Sequence, residues 1–288
     1  MYIFDHINFV RQLPYYFHQS RSRYTCHLLG LGHGYVSINR SIYFQCPSHP
    51  VAYSVFHDMA FCAENRRELK EFLKLSVGCR SFMDVGASGG FFSVLFAASR
   101  SETSTILSVE PDPTAREVLS DLSTRNARKI VNWQIDARGV MDDTRNVLFV
   151  SSGYGAEVMS KLALHNALNN ASANNLQSNI LEIPCTTLTN IISDHYTQPD
   201  LIKIDIESFE YELIQSSLDM LKRWRPRIML ELHVALLRAR GRDPEVLLAS
   251  LASIGYRRFR KPWKELYSLP AEANASGVVR AGILVDNA

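Results

Sequence analysis

The stretch that most constrains this chain is Ser81–Gly90, which reads SFMDVGASGG and runs directly into the apolar segment Phe91–Ala98. Its first half predicts a short buried strand, with Asp84 near the carboxyl end. The glycines that follow, beginning at Gly86, have no Cβ, so the backbone can turn sharply and approach a ligand closely. Apolar residues then recur at the spacing of one helix face. A strand, a glycine turn and a helix together open a nucleotide-type α/β unit, whose ligand lies beyond the carboxyl end of the strand.

The glycine turn differs from the dinucleotide-binding fingerprint. Gly86, Gly89 and Gly90 do not fit the pattern G-x-G-x-x-G, and Asp84 precedes the first of them. A carboxylate is unfavourable beside an anionic pyrophosphate but favourable beside the ammonium and sulfonium groups of S-adenosylmethionine. The loop therefore favours S-adenosylmethionine over NAD as the cofactor. A glycine-rich turn that binds no ligand is the alternative interpretation.

The composition sets the class of protein. With 288 residues, 46% of them hydrophobic, the chain is long enough for one large domain, or for one domain with an added piece. The formal net charge of +2 gives no general preference for polyanions, so no nucleic-acid partner is expected. No run of about 18 apolar residues occurs, so no membrane span is expected. The sequence carries no pattern that sets the oligomeric state.

The cysteines and the amino-terminal segment bear on the cellular compartment. The five cysteines include no C-x-x-C pair and are odd in number, which argues against a disulfide framework or a zinc cluster. Asp5 and Arg11 interrupt the apolar residues at the amino terminus, so this segment lacks a signal-peptide core. We therefore expect a reducing, cytoplasmic setting.

The pattern of the chain changes along its length. Residues 1–57 are aromatic-rich, with strands predicted across Tyr35–Phe44, and we expect them to form a strand-rich amino-terminal cap. Residues 58–288 alternate between strand and helix patterns, which predicts an α/β fold with a doubly wound, mostly parallel sheet. Within them, residues 152–180 are rich in glycine and asparagine and are expected to form a flexible insertion or lid.

The periodicity predicts individual elements of this domain. We expect helices at about 58–76, 91–98, 114–126, 188–196, 208–221 and 244–253, with Asp112 and Asp243 as helix caps. We expect strands at about 82–85, 105–110, 130–135, 147–151, 180–184, 201–206, 227–232, 256–259 and 282–285.

Two acids follow predicted strands of this sheet. Glu110 ends the strand after the glycine loop, about 20 residues further along, where an acid can accept hydrogen bonds from both ribose hydroxyls of a nucleoside. Asp136 follows the next strand, where a side chain can meet an adenine amine. The alternatives are a surface glutamate at a turn for Glu110 and an ordinary turn residue for Asp136.

A third informative stretch is Asp200–Glu210, which reads DLIKIDIESFE. Lys203, Asp205 and Glu207 alternate along it, so a strand would place their side chains on the same side. Ionisable groups on a buried strand face are costly unless they are paired or bind a ligand. We expect them to open into the same crevice as the glycine loop. The alternative is a Lys203–Asp205 ion pair that only stabilises the sheet.

With these segments, the sequence resembles the FkbM family of S-adenosylmethionine-dependent methyltransferases. The matching segments are DVGASGGFF at Asp84–Phe92, VEPDP at Val109–Pro113, LIKIDIESFE at Leu201–Glu210 and IMLELH at Ile228–His233. The resemblance implies the class I methyltransferase fold, with a seven-stranded sheet whose last strand is antiparallel. It also implies methyl transfer, commonly to a hydroxyl group of a sugar, a polyketide or another small natural product, so the expected partner is a small-molecule acceptor.

The resemblance implies roles for individual residues. Asp84, Gly86 and Gly90, together with Ala87 between the two glycines, would hold the methionine end of the cofactor. Glu110 would hold the ribose.

The resemblance also identifies Asp205 and Glu207 as the family's acidic pair. The chain departs from the family at Ser88, where asparagine is usual, at Gly89, where an aliphatic residue is usual, and at Ser208, where glycine is usual. These departures keep a second hypothesis open, namely a catalytically silent cofactor-binding protein with the same fold. An NAD-dependent oxidoreductase is a third hypothesis, disfavoured by the missing fingerprint.

The chemistry of methyl transfer to an alcohol requires a base, because the hydroxyl proton must leave during the attack. The candidate bases are Asp205, Glu207 and His233, and histidine has a suitable ordinary pKa of about 6.5. A packed or surface histidine is the alternative for His233. The spacing of these three residues matches no recognised metal motif, so no metal site is predicted.

Overall fold

The structure is a computed structural model that describes residues 35–37, 42–47, 55–56, 59, 65–151, 156–158, 180–207, 209–256, 258–260 and 280–286. The strands are β1 Tyr35–Ser37, β2 Tyr43–Gln45, β3 Ser81–Val85, β4 Ser104–Val109, β5 Val131–Asp136, β6 Gly139–Met141, β7 Arg145–Ser151, β8 Ala156–Val158, β9 Ile180–Thr187, β10 Leu201–Ile204, β11 Arg227–His233, β12 Arg258–Arg260 and β13 Arg280–Asp286. The helices are α1 Asn65–Leu75, α2 Phe91–Ala98, α3 Pro113–Arg125, α4 Leu188–Asp194, α5 Glu210–Trp224, α6 Val234–Ala239 and α7 Pro244–Ser253.

The main sheet has the strand order β12-β13-β11-β10-β3-β4-β5. Strands β11, β10, β3, β4 and β5 are parallel, and β13 runs antiparallel to both β11 and β12. The predicted α/β fold with a mostly parallel sheet is therefore confirmed. The chain leaves β3 toward β4 on one side and later returns to β10 on the other, so a crevice opens beyond the carboxyl end of β3.

Helices α2, α3, α4, α5 and α7 begin within about two residues of their predicted starts, whereas α6 was not predicted. Asp112 caps α3, because its side chain accepts a hydrogen bond from the backbone N–H of Ala115, and Asp243 caps α7 by accepting from Glu245. A capping carboxylate satisfies an N–H group that has no partner inside the helix. Helix α2 spans the predicted residues and is buried over nearly its whole length. The predicted start of the first helix, at Asp58, lies outside the described residues.

Two hydrophobic clusters cover the two faces of the main sheet. Side chains alternate between the faces along each strand, so Met83 and Val85 join one cluster and Phe82 joins the other. The Phe82 cluster is aromatic and includes Phe56 of the amino-terminal segment, whose ring lies 5.2 Å from that of Phe91. This contact brings the amino-terminal segment to the crevice. Its boundary near residue 57 and its role as a cap stay predictions.

A second sheet of four strands, in the order β6-β9-β7-β8, lies in the second half of the chain. The sequence pattern did not predict β6 or β8, because three-residue strands show no measurable alternation. Of the predicted insertion at 152–180, the structure describes only β8 and Ile180, and the remaining residues lie outside the described part. The second sheet matters for the site because Gly139–Met141 is buried and reaches the crevice.

Two further predictions concern the membrane and the cysteines. Among the helices that the structure describes, none is long and apolar enough to cross a membrane. The described cysteines Cys46, Cys79 and Cys185 are buried and free. The cytoplasmic setting stays a prediction.

Candidate functional site

A cleft of about 460 Å³ opens at the carboxyl edge of the main sheet. The glycine loop and Glu110 line it, and so do Lys203, Asp205 and Glu207, because β3 and β10 are neighbouring strands. An apolar wall completes the cleft and consists of Val55, Phe56, Met59, Phe91, Phe92, Met141, Phe149 and Phe209. The structure thus brings together residues that the sequence analysis placed on three separate strands.

The glycine loop is shaped by the packing of the protein itself. Gly86 has φ of 77°, and a Cβ there would overlap the backbone carbonyl oxygen of Asp205. Gly90 has φ of 84°, and a Cβ there would overlap the side chain of Leu119. Ala87 lines the cleft, and its backbone N–H donates to the carbonyl of Val109 at 3.1 Å. Both glycines are therefore required by the fold, whether or not a ligand approaches the loop.

Asp84 is almost fully buried beside the loop and is not among the described residues that line the cleft. Its Oδ2 accepts a hydrogen bond of 2.6 Å from the Ser93 hydroxyl, whereas its Oδ1 has no hydrogen-bond partner among the described residues. Burial raises the pKa of Asp84 to about 6, and the positive charge of Lys203 opposes that rise. An uncompensated carboxylate oxygen at this depth fits a nearby cationic ligand better than an anionic one.

Glu110 lines the cleft and also braces the loop. One carboxylate oxygen accepts from the backbone N–H of Ser88 at 2.7 Å, and the other accepts from that of Asp112 at 2.8 Å. Burial raises the pKa of Glu110 to about 7, although these two hydrogen bonds favour the ionised form. Ser88 itself adopts φ of 49°. Asparagine tolerates this left-handed conformation better than serine, which gives a physical reason for the usual asparagine there.

The structure places the carboxylate of Asp136 away from the cleft. Arg138 donates to both of its oxygens, and the His195 imidazole lies 2.8 Å from one of them. Burial raises the pKa of Asp136, but the hydrogen bonds from Arg138 and His195 outweigh burial and lower it. Arg138, rather than Asp136, is among the described residues that line the cleft. The adenine contact proposed for Asp136 stays a prediction.

The Lys203–Asp205 ion pair is present, with Nζ 3.0 Å from Oδ2, and both residues line the cleft. Lys203 is only 4% exposed, and its ammonium also lies 5.0 Å from the centre of the Phe92 ring. Burial opposes the charge on each partner, but their mutual attraction raises the pKa of Lys203 and lowers that of Asp205. The pair is therefore ionised, and both of its residues line the cleft.

His233 lies at the centre of the acidic group. Its Nδ1 is 2.8 Å from Oε1 of Glu210, and its Nε2 is 3.3 Å from Glu207 and 3.7 Å from Asp205. Burial disfavours the imidazolium, but the hydrogen bond and charge of Glu210, with the charges of Asp205 and Glu207, raise the pKa of His233 to about 9. Glu207 has φ of 49°, and Ser208, the departure from the family that follows it, lies outside the described residues.

The sequence analysis missed Glu210 and Glu231 as members of this group. Glu231 shares a strand face with His233, and burial together with the charge of Asp205 raises its pKa. The alternation of these two residues in IMLELH was the available signal. Asp205, Glu231 and His233 present potential ligand atoms within 4.8 Å of one another. Lys203 already supplies positive charge next to Asp205, so we assign no cation to this group.

A scan against family models decides the relationship of the chain. Residues 84–258, more than half of the chain, match the model described as the methyltransferase FkbM domain. The chain belongs to the FkbM methyltransferase family. The match includes the glycine loop, Glu110 and the acidic group around His233, so the resemblance stated from the sequence motifs is confirmed.

Solved structures similar to this FkbM domain include three methyltransferases. The FkbM methyltransferase from Methylobacillus flagellatus KT has 12% identity and a TM-score of 0.45, over 82% of this chain and 53% of its own. The precorrin-6y C5,15-methyltransferase from Geobacter metallireducens GS-15 has 12% identity and a TM-score of 0.42, over 77% and 89%. A putative O-methyltransferase from Klebsiella pneumoniae has 13% identity and a TM-score of 0.40, over 84% and 92%. No curated protein matches the chain.

The acidic group predicts how the stability of the FkbM domain depends on pH. The pKa of His233 rises from its ordinary 6.5 to about 9 on folding, so the folded protein holds a proton that the unfolded chain releases. The resulting stabilisation is complete below pH 6.5 and is lost as the pH rises through about 9. The pKa of Glu110 is raised on folding, which acts with the same sign at lower pH.

We therefore expect the thermal unfolding midpoint to fall as the pH rises from 6.5 to about 9. Thermal denaturation across a pH series measures the effect. His233→Asn should flatten the dependence in this range, and an unchanged slope in that variant would assign the effect to other groups.

Proposed function

We propose that this FkbM domain is an S-adenosylmethionine-dependent methyltransferase that methylates a hydroxyl group of a small-molecule acceptor, such as a sugar or a polyketide. The observation that supports the proposal is a single cleft. The glycine loop, Glu110, Asp205 and Glu207 all line it. A cofactor held by the loop and Glu110 would place its methyl group in the cleft that the two acidic residues also line.

The glycine loop and Glu110 suit S-adenosylmethionine. A carboxylate offers about four lone-pair sites, and Glu110 uses two of them on Ser88 and Asp112, so it can still accept from ribose hydroxyls. The loop residues 86–89 leave their backbone open to the cleft. Asp84 adds a buried negative charge below the loop. When bound, the cofactor supplies an electrophilic methyl group.

The aromatic residues and the acidic pair of the cleft lining suit an uncharged acceptor that carries a hydroxyl group. The aromatic rings of Phe91, Phe149 and Phe209 provide an apolar surface, and Asp205 and Glu207 lie beside it. Carboxylates would repel an anionic acceptor but can accept a hydrogen bond from a hydroxyl group. Holding the hydroxyl oxygen in line with the methyl group supplies much of the rate enhancement.

Calorimetry and turnover test the proposed function together. We expect S-adenosylmethionine and S-adenosylhomocysteine to bind and NAD not to bind. We also expect methyl transfer to a member of a panel of free sugars, glycosides and polyketide alcohols, detected by transfer of a labelled methyl group. Binding of NAD without either sulfur cofactor would overturn the methyltransferase proposal. Cofactor binding without turnover on the panel would favour the catalytically silent protein.

Glu110→Ala is expected to weaken S-adenosylhomocysteine binding by at least about tenfold. Hydrogen bonds to a charged acceptor contribute about 1.5–3 kcal/mol each, and about 1.4 kcal/mol corresponds to one decade in affinity. Calorimetry measures the change. Glu117→Ala, an exposed site on α3, is the matched control and should leave the affinity unchanged. Full affinity in a folded Glu110→Ala protein would exclude Glu110 from the cofactor site.

A further inference from the structure

We propose that Glu210 is a positioning residue that holds the His233 imidazole with Nε2 toward the cleft, and that His233 is thereby the base that accepts the acceptor's hydroxyl proton. This inference rests on the proposed function. It selects one base from the three candidates, and it assigns a role to a glutamate that touches neither cofactor nor acceptor.

The placement of the two residues supports this assignment. Glu210 is the first residue of α5 and is fully buried, and His233 is the last residue of β11 and is 7% exposed. The two groups lie on different elements, since α5 begins and β11 ends at the same edge of the sheet. The 2.8 Å contact between Nδ1 and Oε1 is therefore held by the fold rather than by a flexible loop. A buried carboxylate acceptor orients an imidazole in this way in hydrolytic triads.

The contact decides which ring nitrogen carries the proton. Where Glu210 accepts this hydrogen bond, the neutral imidazole carries its proton on Nδ1. The lone pair then lies on Nε2, which faces Glu207 at 3.3 Å and Asp205 at 3.7 Å, and both of these residues line the cleft. Nε2 is thus the ring atom next to the two carboxylates that line the cleft, and His233 itself is not among the described residues of that lining.

The proposed step is balanced in atoms and electrons. The O–H bond of the acceptor breaks, and its proton moves to Nε2 of His233. The acceptor oxygen forms a bond to the methyl carbon as the carbon–sulfur bond breaks, and that electron pair stays on the sulfur. The imidazolium that results faces Glu210, Asp205 and Glu207, whose negative charges stabilise it.

The charged groups around His233 also predict a pH dependence. Glu210 faces the ring from α5, Asp205 and Glu207 face it from the segment after β10, and Glu231 lies 4.0 Å away on β11. Lys203 is paired with Asp205 on the far side. With a His233 pKa of about 9, the neutral imidazole is the minor form at pH 7. Methyl transfer should therefore rise with pH up to about 9.

Nuclear magnetic resonance of the full chain with ¹⁵N-labelled histidine tests the positioning role without an acceptor. Spectra with S-adenosylhomocysteine should show His233 titrating near pH 9 with its neutral proton on Nδ1. Glu210→Gln keeps an oxygen that accepts from Nδ1 but removes the charge, and should lower the titration midpoint by about 1–2 pH units. An unchanged midpoint in folded Glu210→Gln, or a neutral proton on Nε2 in the wild type, would overturn the proposal.

The matched control is Glu212→Gln, which makes the same change at another buried glutamate of α5. Glu212 pairs with Arg240 and Arg242 rather than with His233. We expect this variant to lower the stability and leave the His233 midpoint in place. A shift as large as that in Glu210→Gln would assign the effect to a general perturbation of α5 and overturn the proposal.

Turnover separates this inference from the proposed function. With an acceptor from the panel, Glu210→Gln should move the rise of the rate with pH to lower pH, while S-adenosylhomocysteine affinity stays constant. Coincident profiles in an active wild type and variant would overturn the positioning role and leave the methyltransferase function standing. A wild-type protein that neither binds the cofactor nor transfers methyl groups would instead overturn the proposed function. Broadening of the His233 signals by added Mn²⁺ at Nε2 would also overturn the inference, since a metal ligand cannot be the base.

Discussion

His233→Asn is expected to lower turnover by about 10²–10⁴ while the protein still binds S-adenosylhomocysteine. The loss of a general base has this magnitude. Asparagine is the appropriate replacement because its side-chain N–H₂ can still donate to the buried Glu210, whereas it offers no basic nitrogen in place of Nε2. The proposed cofactor contacts follow β3 and β4, so affinity should change little. Steady-state turnover and calorimetry on the same preparation measure both quantities.

Two further variants serve as comparisons for His233→Asn. Glu207→Gln should reduce turnover less than His233→Asn does. The Glu207 side chain is 41% exposed, and it contacts the proposed base without being the base itself. Asp205→Asn should mainly lower the thermal midpoint, because it leaves the buried ammonium of Lys203 without its ion-pair partner. Near-normal turnover in His233→Asn, with a large loss in Glu207→Gln, would transfer the role of base to Glu207.

Gly86→Ala is expected to destabilise the protein by about 2–5 kcal/mol. Two costs combine at this position. The left-handed φ of 77° is unfavourable for alanine, and the new Cβ would overlap the carbonyl oxygen of Asp205, which is backbone and cannot rotate away. Urea denaturation of the variant measures the loss. The same displacement would disturb Asp205, so turnover should fall as well.

Gly78→Ala is the matched control for this prediction. Gly78 has nearly the same φ, 76°, but a Cβ there would meet no atom within 4 Å. Its cost should be the backbone cost alone, about 1–2 kcal/mol. The difference between the two variants therefore isolates the contact with Asp205. Equal losses would show that the loop relaxes around the added methyl group without a further cost.

The elements that were predicted well are those with local signals. Helix α2 follows its apolar spacing, and α3 and α7 begin next to Asp112 and Asp243. A cap acts on N–H groups one turn away, and helical periodicity repeats every few residues, so a single sequence contains both signals. Strands β6 and β8 are too short for such a signal, and the pairing of β6 with β9 is long-range.

The sequence also predicted that residues of the candidate site lie close together. Glu110 and Asp205 each follow a strand of the parallel sheet, and parallel strands bring their carboxyl ends to one edge. The side chains that these residues contact could not be predicted from the sequence. Asp136 meets its predicted position at a strand end, yet its carboxylate is held by Arg138 and His195, and only the packing of α4 beside β5 brings His195 there.

By itself the sequence determined the strand, glycine turn and helix around Asp84, the order of the acid-bearing strands and the family, because these depend on neighbours in the chain and on strand direction. Only the tertiary structure decided that Gly86 lies against the carbonyl of Asp205 and that Glu210 contacts His233. In each contact, at least one helix that connects two strands lies between the two residues in the chain. Their geometry depends on strand register and helix placement, which no local pattern of residues specifies.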